Sequence, residues 1–333
     1  MKLQPELKAV KYIQLADSIR RQIIEGNLKK GDALPSINGM AKSEKVARDT
    51  VVKAYSELRR RGIIEASHGK GFFIKDDQLK TQRSVLLVFD VINAYKERLF
   101  NGFRDHLNDS IATELYFHHF NPKYFESLLE DQKNNFDLFV VMGYSNPRIN
   151  RSLRRLPEER TVLLDRKIRM KQPQFRFVGQ DHEGGFREAL KTALDRIRKY
   201  DRIRLIFPEE HYHPLRIKDA FTGFCKESGI TGSISKSLSE PDVSKGVAYF
   251  VIDEDDLIAV VKACQMKGWE LGKDVGLVSY NDTPMMEIIA GGISVITTDF
   301  YSMGKELAEK LVHGFGADRE VLIPTLFKAR KTL

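Results

Sequence analysis

Between Tyr12 and Phe73 the chain sets out a succession of apolar periods and breaks that leaves few ways to fold. Over residues 12–24, Ile13, Leu15, Ala16, Ile19, Ile23 and Ile24 recur at helical spacing. Gly26 stands in the place of a C-terminal cap, and Gly31-Asp32 makes a turn. Ser36 is a good N-cap for a second, short helix over 37–42. A third helix is predicted over 47–61, with Val51, Val52, Tyr55 and Leu58 pointing inward and Gly62 ending it. Residues 63–66 and 72–74 make two short strands, joined through Ser67-His68-Gly69-Lys70-Gly71. Two short helices joined by a tight turn bury little alone, so the first helix and the β-ribbon must complete their core. The result is a helix-turn-helix with a wing.

The charge is divided to match. Residues 1–80 hold 17 Lys+Arg against 10 Asp+Glu, and the remaining residues hold 37 against 36, so nearly all of the net +8 sits in the first segment. A compact basic module binds phosphate by releasing counterions. The outer face of the third helix starts with Arg48, Asp49, Thr50 and Lys53. Helix N-termini favour phosphate, and Arg can make a bidentate contact to guanine. The glycines flanking Lys70 allow the wing tip to approach a phosphate backbone closely.

The pattern Tyr-x-Gln-Leu, Ile-x-x-Gly, Gly-Asp-x-Leu-Pro-Ser-Ile, Ala-Arg-x-Thr-Val and Gly-x-Gly-x-Phe over residues 10–75 resembles the GntR-type winged-helix repressors. The resemblance implies DNA contacts from the position after Pro-Ser-Ile, the start of the third helix, and the wing. Carried onto this chain they are Ser36, Asn38, Arg48, Thr50, Lys53, His68, Gly69 and Lys70. Asn38 stands where the family usually has Arg, and Ala47 where it usually has Ser, so one guanidinium and one hydroxyl are missing and a different base preference is expected.

After a polar connector over residues 77–83, short apolar runs alternate with helical patterns to the end of the chain. Strands are expected at 85–89, 115–118, 138–142, 162–164, 175–178, 203–207, 248–252, 275–279 and 294–297, with amphipathic helices at 99–107, 184–198, 217–228 and 257–267. Such alternation implies parallel sheets covered by helices, and this length suits two sheets better than one. Ligands of open α/β sheets bind beyond the carboxyl ends of the strands. Asp90, Asn93, Tyr95, Asp165, Arg166, Asp181, residues 211–216, Asp253, Asn281 and Asp282 follow those ends. Planar hydrogen-bonding groups beside aromatic rings suit sugars, whose hydroxyls donate and accept while the C–H face stacks.

Asp90-Val-Ile-Asn93, Leu164-Asp165-Arg166, Val178-Gly-x-Asp181, Ile252-Asp253-Glu-Asp, the run from Asp274 to Pro284 and Asp299-x-x-x-Met303-Gly304 resemble the lactose/galactose-repressor sensor domain, akin to periplasmic sugar-binding proteins. That resemblance implies two lobes joined by three crossovers, with effector in the cleft between them. Its pocket positions correspond to Asn93, Tyr95, Asp253 and Asn281, with Arg216, or Lys218 beside it, near the start of a helix. Asp253 and Asn281 exchange the Asn and Asp usual in the family. The effector set expected from both lines of reading is Asp90, Asn93, Tyr95, Asp165, Arg166, Arg216, Asp253 and Asn281, and L-arabinose, L-fucose and L-rhamnose head the candidate sugars.

Other chemistry finds no anchor. Cys225 and Cys264 are too few and too far apart for a disulfide framework or zinc site, which suits a reducing cytoplasm. His118-His119 and His211-x-His213 lack a convergent acidic or Cys set, and no metal or cofactor is expected. Gly69-x-Gly71 lacks the third glycine and following helix of a dinucleotide loop. No nucleophile elbow or His-Glu-x-x-His helix occurs, no run approaches a membrane span of roughly 18 residues, and the first residues lack the apolar core of a signal peptide. The expectation is an α/β chain: a winged helix-turn-helix over 1–76, a linker over 77–83, and a two-lobed periplasmic-binding-protein-like domain with parallel sheets over 84–333. It would be a homodimeric, cytoplasmic, sugar-controlled repressor of carbohydrate-use genes bound to double-stranded operator DNA. The rival is a sugar-processing enzyme with a DNA-targeting module.

Overall fold

The computed structural model describes residues 11–67, 69–77, 83–109, 111–133, 135–168, 170, 174–208, 214–316 and 318–333. The chain forms two compact units, one of residues 1–86 with 109–114 and 132–138, the other of 87–108, 115–131 and 139–333. Most of the linker expected over 77–83, together with His68, His211 and His213, lies outside the described residues.

The first unit begins with α1 (Lys11–Ile24), β1 (Ala33–Leu34), α2 (Ile37–Ser43), α3 (Arg48–Arg60), β2 (Ile64–Ser67) and β3 (Gly71–Ile74). The three strands form one antiparallel sheet in the order β1-β3-β2. Its core collects Leu15, Ile19 and Ile23 of α1, Met40 of α2, Val51, Ala54, Tyr55 and Leu58 of α3, and Ile64 and Ile74 of the ribbon. Val52, expected inside, is 39% exposed, and Ala54 takes the buried place. Positions 51, 54, 55 and 58 follow the i, i+3, i+4, i+7 spacing of one helix face, and 52 falls off it. Ile24 is likewise exposed. The Tyr55 hydroxyl donates to the Pro35 carbonyl at 2.7 Å, which ties α3 to the start of α2. In the same unit Asp137, with a side chain 12% exposed, accepts from Arg20 at 2.9 Å, Arg61 at 2.8 Å, and the backbone N–H and hydroxyl of Ser84.

The chain continues through β4 (Arg83–Phe89), α4 (Ala94–Asp105), β5 (Ile111–Phe117), α5 (Pro122–Gln132), β6 (Leu138–Val141), α6 (Pro147–Leu153), β7 (Thr161–Asp165) and β8 (Arg176–Gln180). Then come α7 (Gly184–Thr192), α8 (Leu194–Ile197), β9 (Arg202–Ile206), α9 (Arg216–Ser228), β10 (Gly232–Ser235), β11 (Val247–Val251), α10 (Glu254–Lys267), β12 (Gly276–Tyr280) and β13 (Ser294–Thr298). Last are α11 (Phe300–His313), β14 (Glu320–Ile323) and β15 (Thr325–Lys328). Two six-stranded sheets result, ordered β5-β4-β6-β7-β8-β14 and β10-β9-β11-β12-β13-β15. The order is the same in both, so each sheet heads one lobe of a duplicated architecture. The pairings β6–β7, β7–β8, β8–β14, β9–β10, β9–β11, β11–β12 and β12–β13 are parallel, while β15 closes the second sheet antiparallel to β13.

The chain passes between the lobes three times: from β8 into α7, from β13 into α11, and from β14 into β15. At the last crossing a single residue, Pro324, separates strands that belong to different sheets. Helices α4 and α11 cross at two glycines. A Cβ on Gly304 would meet the Leu99 carbonyl oxygen at 1.9 Å, and one on Gly102 would meet that of Tyr301 at 2.1 Å. These helices bury Leu99, Phe103, Met303 and Leu307 in one packed layer.

Candidate functional site

In the first unit the Ser36 hydroxyl oxygen caps α2, accepting from the Gly39 N–H at 3.1 Å. Asn38, Arg48 and Lys53 are exposed, and Thr50 is half-buried. Ala47 begins α3 without a side-chain cap, so the first N–H groups of that helix have no side-chain acceptor there. Lys45, in the turn between α2 and α3, has a φ of 54°, a conformation sparsely used outside glycine. Lys70 is exposed at the ribbon tip, and Gly69 (φ 71°) and Gly71 (φ 104°) supply the left-handed turn there. Lys45 was not singled out from the sequence; its backbone conformation is the signal.

In the second unit the carboxyl ends of both sheets' strands enclose a cavity of about 260 Å³. Asn93, Tyr95, Asp165, Arg166, Asp253 and Asn281 all line it. Asn93 caps α4 through Oδ1, accepting from the Lys96 N–H at 3.2 Å, which fixes its amide at the mouth of the first lobe. Asp165 ends β7 with a φ of 68°, and Asn281 follows β12 with a φ of 75°. These strands hold the same place in their two sheets, so each lobe offers the cavity one strained, planar polar residue. The Asn281 N–H donates to the Ile296 carbonyl at 2.8 Å, while its side-chain oxygen Oδ1 is buried without a partner among the described residues. A buried polar atom left so is commonly completed by something bound.

Asp90 and Arg216 do not line this cavity. Asp90 lies beneath it, 2% exposed, in an ion pair with the buried Lys96 and with Arg166 at 3.2 Å. Burial raises its pKa, but the two cations prevail and hold the carboxyl below its ordinary value. Asp90 therefore holds Arg166 from beneath, off the cavity wall where it was expected. Arg216 pairs with Glu183 and lines a neighbouring cavity, and Lys218 sits over the Phe207 ring at 4.5 Å. Two other strand-end residues serve the scaffold. Asp181 accepts from the N–H groups of Glu183 and Gly184, and Asp282 is held by Arg330 and Lys328.

Gln180, His182, Ser279 and Tyr280, four polar residues missed from the sequence, also line the cavity, beside Ala94, Pro214, Ile252, Glu254, Thr283 and Met286. Gln180 Nε2 donates to Asp165 at 2.6 Å, and its Oε1 accepts from Tyr280 and Thr298. Burial pushes the His182 imidazole down to about 4, so it is neutral near pH 7, and burial pushes the Tyr95 phenol up to about 12. Their only sequence signal is adjacency to Asp181 and Asn281. Among the described residues no group of three or more His, Cys, Asp or Glu is placed to hold a metal, and no helix is long and apolar enough to cross a membrane.

A winged helix on one unit and a two-lobed α/β domain with a polar cleft on the other define a DNA-binding transcriptional regulator with a periplasmic-binding-protein-like domain. Residues 11–74 match the model of bacterial regulatory proteins, gntR family, and residues 196–333 that of a periplasmic binding protein-like domain. The chain belongs to the gntR family. It is 35% identical over 91 residues to YhcF of Bacillus subtilis (strain 168), an uncharacterized HTH-type transcriptional regulator, covering 26% of this chain and 75% of YhcF. It is 38% identical over 79 residues to MngR of Escherichia coli (strain K12), the mannosyl-D-glycerate transport/metabolism system repressor, covering 24% of this chain and 33% of MngR.

Solved structures share the fold of the remainder. The trehalose repressor from Escherichia coli superposes with a TM-score of 0.58 at 16% identity, covering 74% of this chain and all 100% of that one. A LacI family regulator from Lactobacillus casei with bound glucose gives 0.60 at 14%, covering 75% and 99%.

Proposed function

We propose that this regulator is controlled by a small sugar bound in the 260 Å³ cavity, and that it represses carbohydrate-use genes. The observation that carries the reading is the wall itself. Asn93, Asp165, Gln180, Asp253, Ser279 and Asn281 offer donors and acceptors from both lobes, Tyr95 and Tyr280 offer ring faces, and Asn281 Oδ1 awaits a donor. Polyols satisfy such a set, since each hydroxyl both donates and accepts. The glucose bound to the Lactobacillus casei regulator and the sugar-linked names of MngR and the trehalose repressor support the same class of ligand.

The effector contacts we assign are Asn93, Tyr95, Asp165, Arg166, Asp253 and Asn281. The DNA contacts are Asn38, Arg48, Thr50, Lys53 and Lys70, with Ser36 and Gly69 shaping the backbone around them. We place the domain boundary at residue 76, and a homodimer in the cytoplasm reading a palindromic operator completes the proposal. Ligand acts by population shift: a sugar that touches both lobes favours the closed cleft and biases the conformations from which the winged helices bind DNA. A thermal-shift screen of purified protein, opening with L-arabinose, L-fucose and L-rhamnose, tests the site, because a ligand of the native state raises Tm by mass action. An Asn281→Ala variant should abolish the shift from any sugar that gives one. Silence across the panel sinks the reading.

A further inference from the structure

A second cavity, of about 460 Å³, adjoins the first, and Arg166, Gln180, His182 and Pro214 line both. The inner cavity alone, at about 260 Å³, falls short of the roughly 300–1,000 Å³ usual for small-molecule sites. Both walls mix polar and apolar groups: Ala94, Ile252 and Met286 stand among the hydrogen-bonding residues of the inner one, and the outer one presents the exposed side chains of Leu215 and Leu322 beside the buried Tyr144, Ile168 and Phe177. On the outer rim Lys167 pairs with Glu320 at 2.5 Å and Arg216 with Glu183, and the Asp181 carboxylate, which accepts from the N–H groups of Glu183 and Gly184, also lines the cavity. Between the compartments Arg166 is held by Asp90 at 3.2 Å and Asp165 at 3.7 Å. An anionic ligand would meet the carboxylates of Asp181 and Glu320 and compete with them for the cations; an uncharged one would not.

We infer that the outer cavity is a second subsite, and that the effector is an uncharged glycoside of two units. One polyol ring fills the inner cavity, and a second ring lies against the apolar walls of the outer one. The inference rests on the reading of the inner cavity as the effector site. The C–H face of the second ring buries against Leu215 and Leu322, while hydroxyls near the glycosidic bond reach the shared Arg166, Gln180 and His182.

Isothermal titration calorimetry on the full-length protein tests this, with glucose, galactose and fructose set against maltose, cellobiose, trehalose, sucrose, lactose and melibiose, and against glucose 6-phosphate. At least one disaccharide should bind about tenfold or more tightly than either component monosaccharide. Leu322 and Ser145 line the outer cavity at exposed positions, so Leu322→Trp and Ser145→Trp fill it with little risk to folding, checked by thermal unfolding of the unliganded variants. Each should bring the disaccharide-to-monosaccharide affinity ratio towards one, and if one variant fails to fold the other decides. A monosaccharide that binds as tightly as its disaccharides, or a ratio untouched by both variants, overturns the outer subsite and leaves the inner one standing. Glucose 6-phosphate as the tightest ligand overturns the requirement for an uncharged effector. No binding by any sugar overturns the inner-site reading and this inference with it.

Discussion

Tyr280 donates its hydroxyl proton to Gln180 Oε1 at 3.1 Å, joining the end of β12 in one lobe to the end of β8 in the other. Thr298 donates to the same oxygen at 3.0 Å, and the amide group of Gln180 donates to Asp165 at 2.6 Å. One side chain thus ties the lobes together and orients a carboxylate in the cavity. Gln180→Ala removes three hydrogen bonds and should cost about 3 kcal/mol in urea denaturation, whereas Tyr280→Phe, which removes one, should cost about 1 kcal/mol. Equal effects from the two would argue against a shared node. The Gln180 variant should also weaken sugar binding.

His182 makes stability depend on pH. Its pKa falls from 6.5 unfolded to about 4 folded, chiefly through burial. Between those values the unfolded chain binds the extra proton, so stability is complete above pH 6.5 and declines as pH falls towards 4, by about 3 kcal/mol in all. Denaturation curves at pH 7, 6, 5 and 4.5 should show that loss, with a shallower slope for His182→Gln. Parallel slopes for both proteins would assign the pH dependence elsewhere.

Asp137 gathers Arg20, Arg61 and Ser84 within the first unit, and its carboxyl is held down to about 2: burial opposes ionisation, but the arginines and the Ser84 N–H prevail. Asp137→Ala removes the partner that Arg20 and Arg61 share, leaving Arg61 to Glu57 at 2.7 Å and Arg20 to Asp17 at 3.8 Å. A loss of about 2 kcal/mol is expected, and Asp137→Asn, which retains an acceptor, should recover part of it.

The crossing of α4 on α11 admits no methyl group at Gly102 or Gly304, because carbonyl oxygens occupy the space. Gly304→Ala should cost about 2 kcal/mol through forced separation of the helices, despite alanine's better helix propensity. Gly268, a left-handed C-cap with nothing near its Cβ position, provides the contrast. Its Ala variant should lose only about 1 kcal/mol, from backbone strain alone.

At the DNA face, Arg48→Ala should remove sequence-specific binding while leaving salt-sensitive, nonspecific binding. Lys70→Ala should weaken binding evenly across sequences and lower the salt slope by about 1. Competition binding at several salt concentrations separates the two. Variants that both bind an operator like the wild type would remove α3 and the wing from the interface.

The winged helix and the paired α/β lobes were legible in the sequence because helical period, strand runs, caps and glycine breaks are local properties. Asn93, Tyr95, Asp165, Arg166, Asp253 and Asn281 could be brought together in advance because parallel strands deliver their carboxyl ends to one edge. The strands β10, β14 and β15 were not legible. Each is a four-residue strand at the edge of its sheet, and only pairing with a distant neighbour makes it a strand. Val52 and Ala54 changed places because the face buried by α3 is set by what α1 packs against. Asp90 went beneath the cavity because Lys96, six residues on in the first turn of α4, is buried with it, and a buried ammonium requires a carboxylate. Gln180 and His182 entered the cavity because the chain crosses between lobes where β8 ends. Local chemistry in the chain determined which elements form and which ends they present; burial, acting between residues a hundred positions apart, decided which polar groups face the cavity and which are spent holding the others in place.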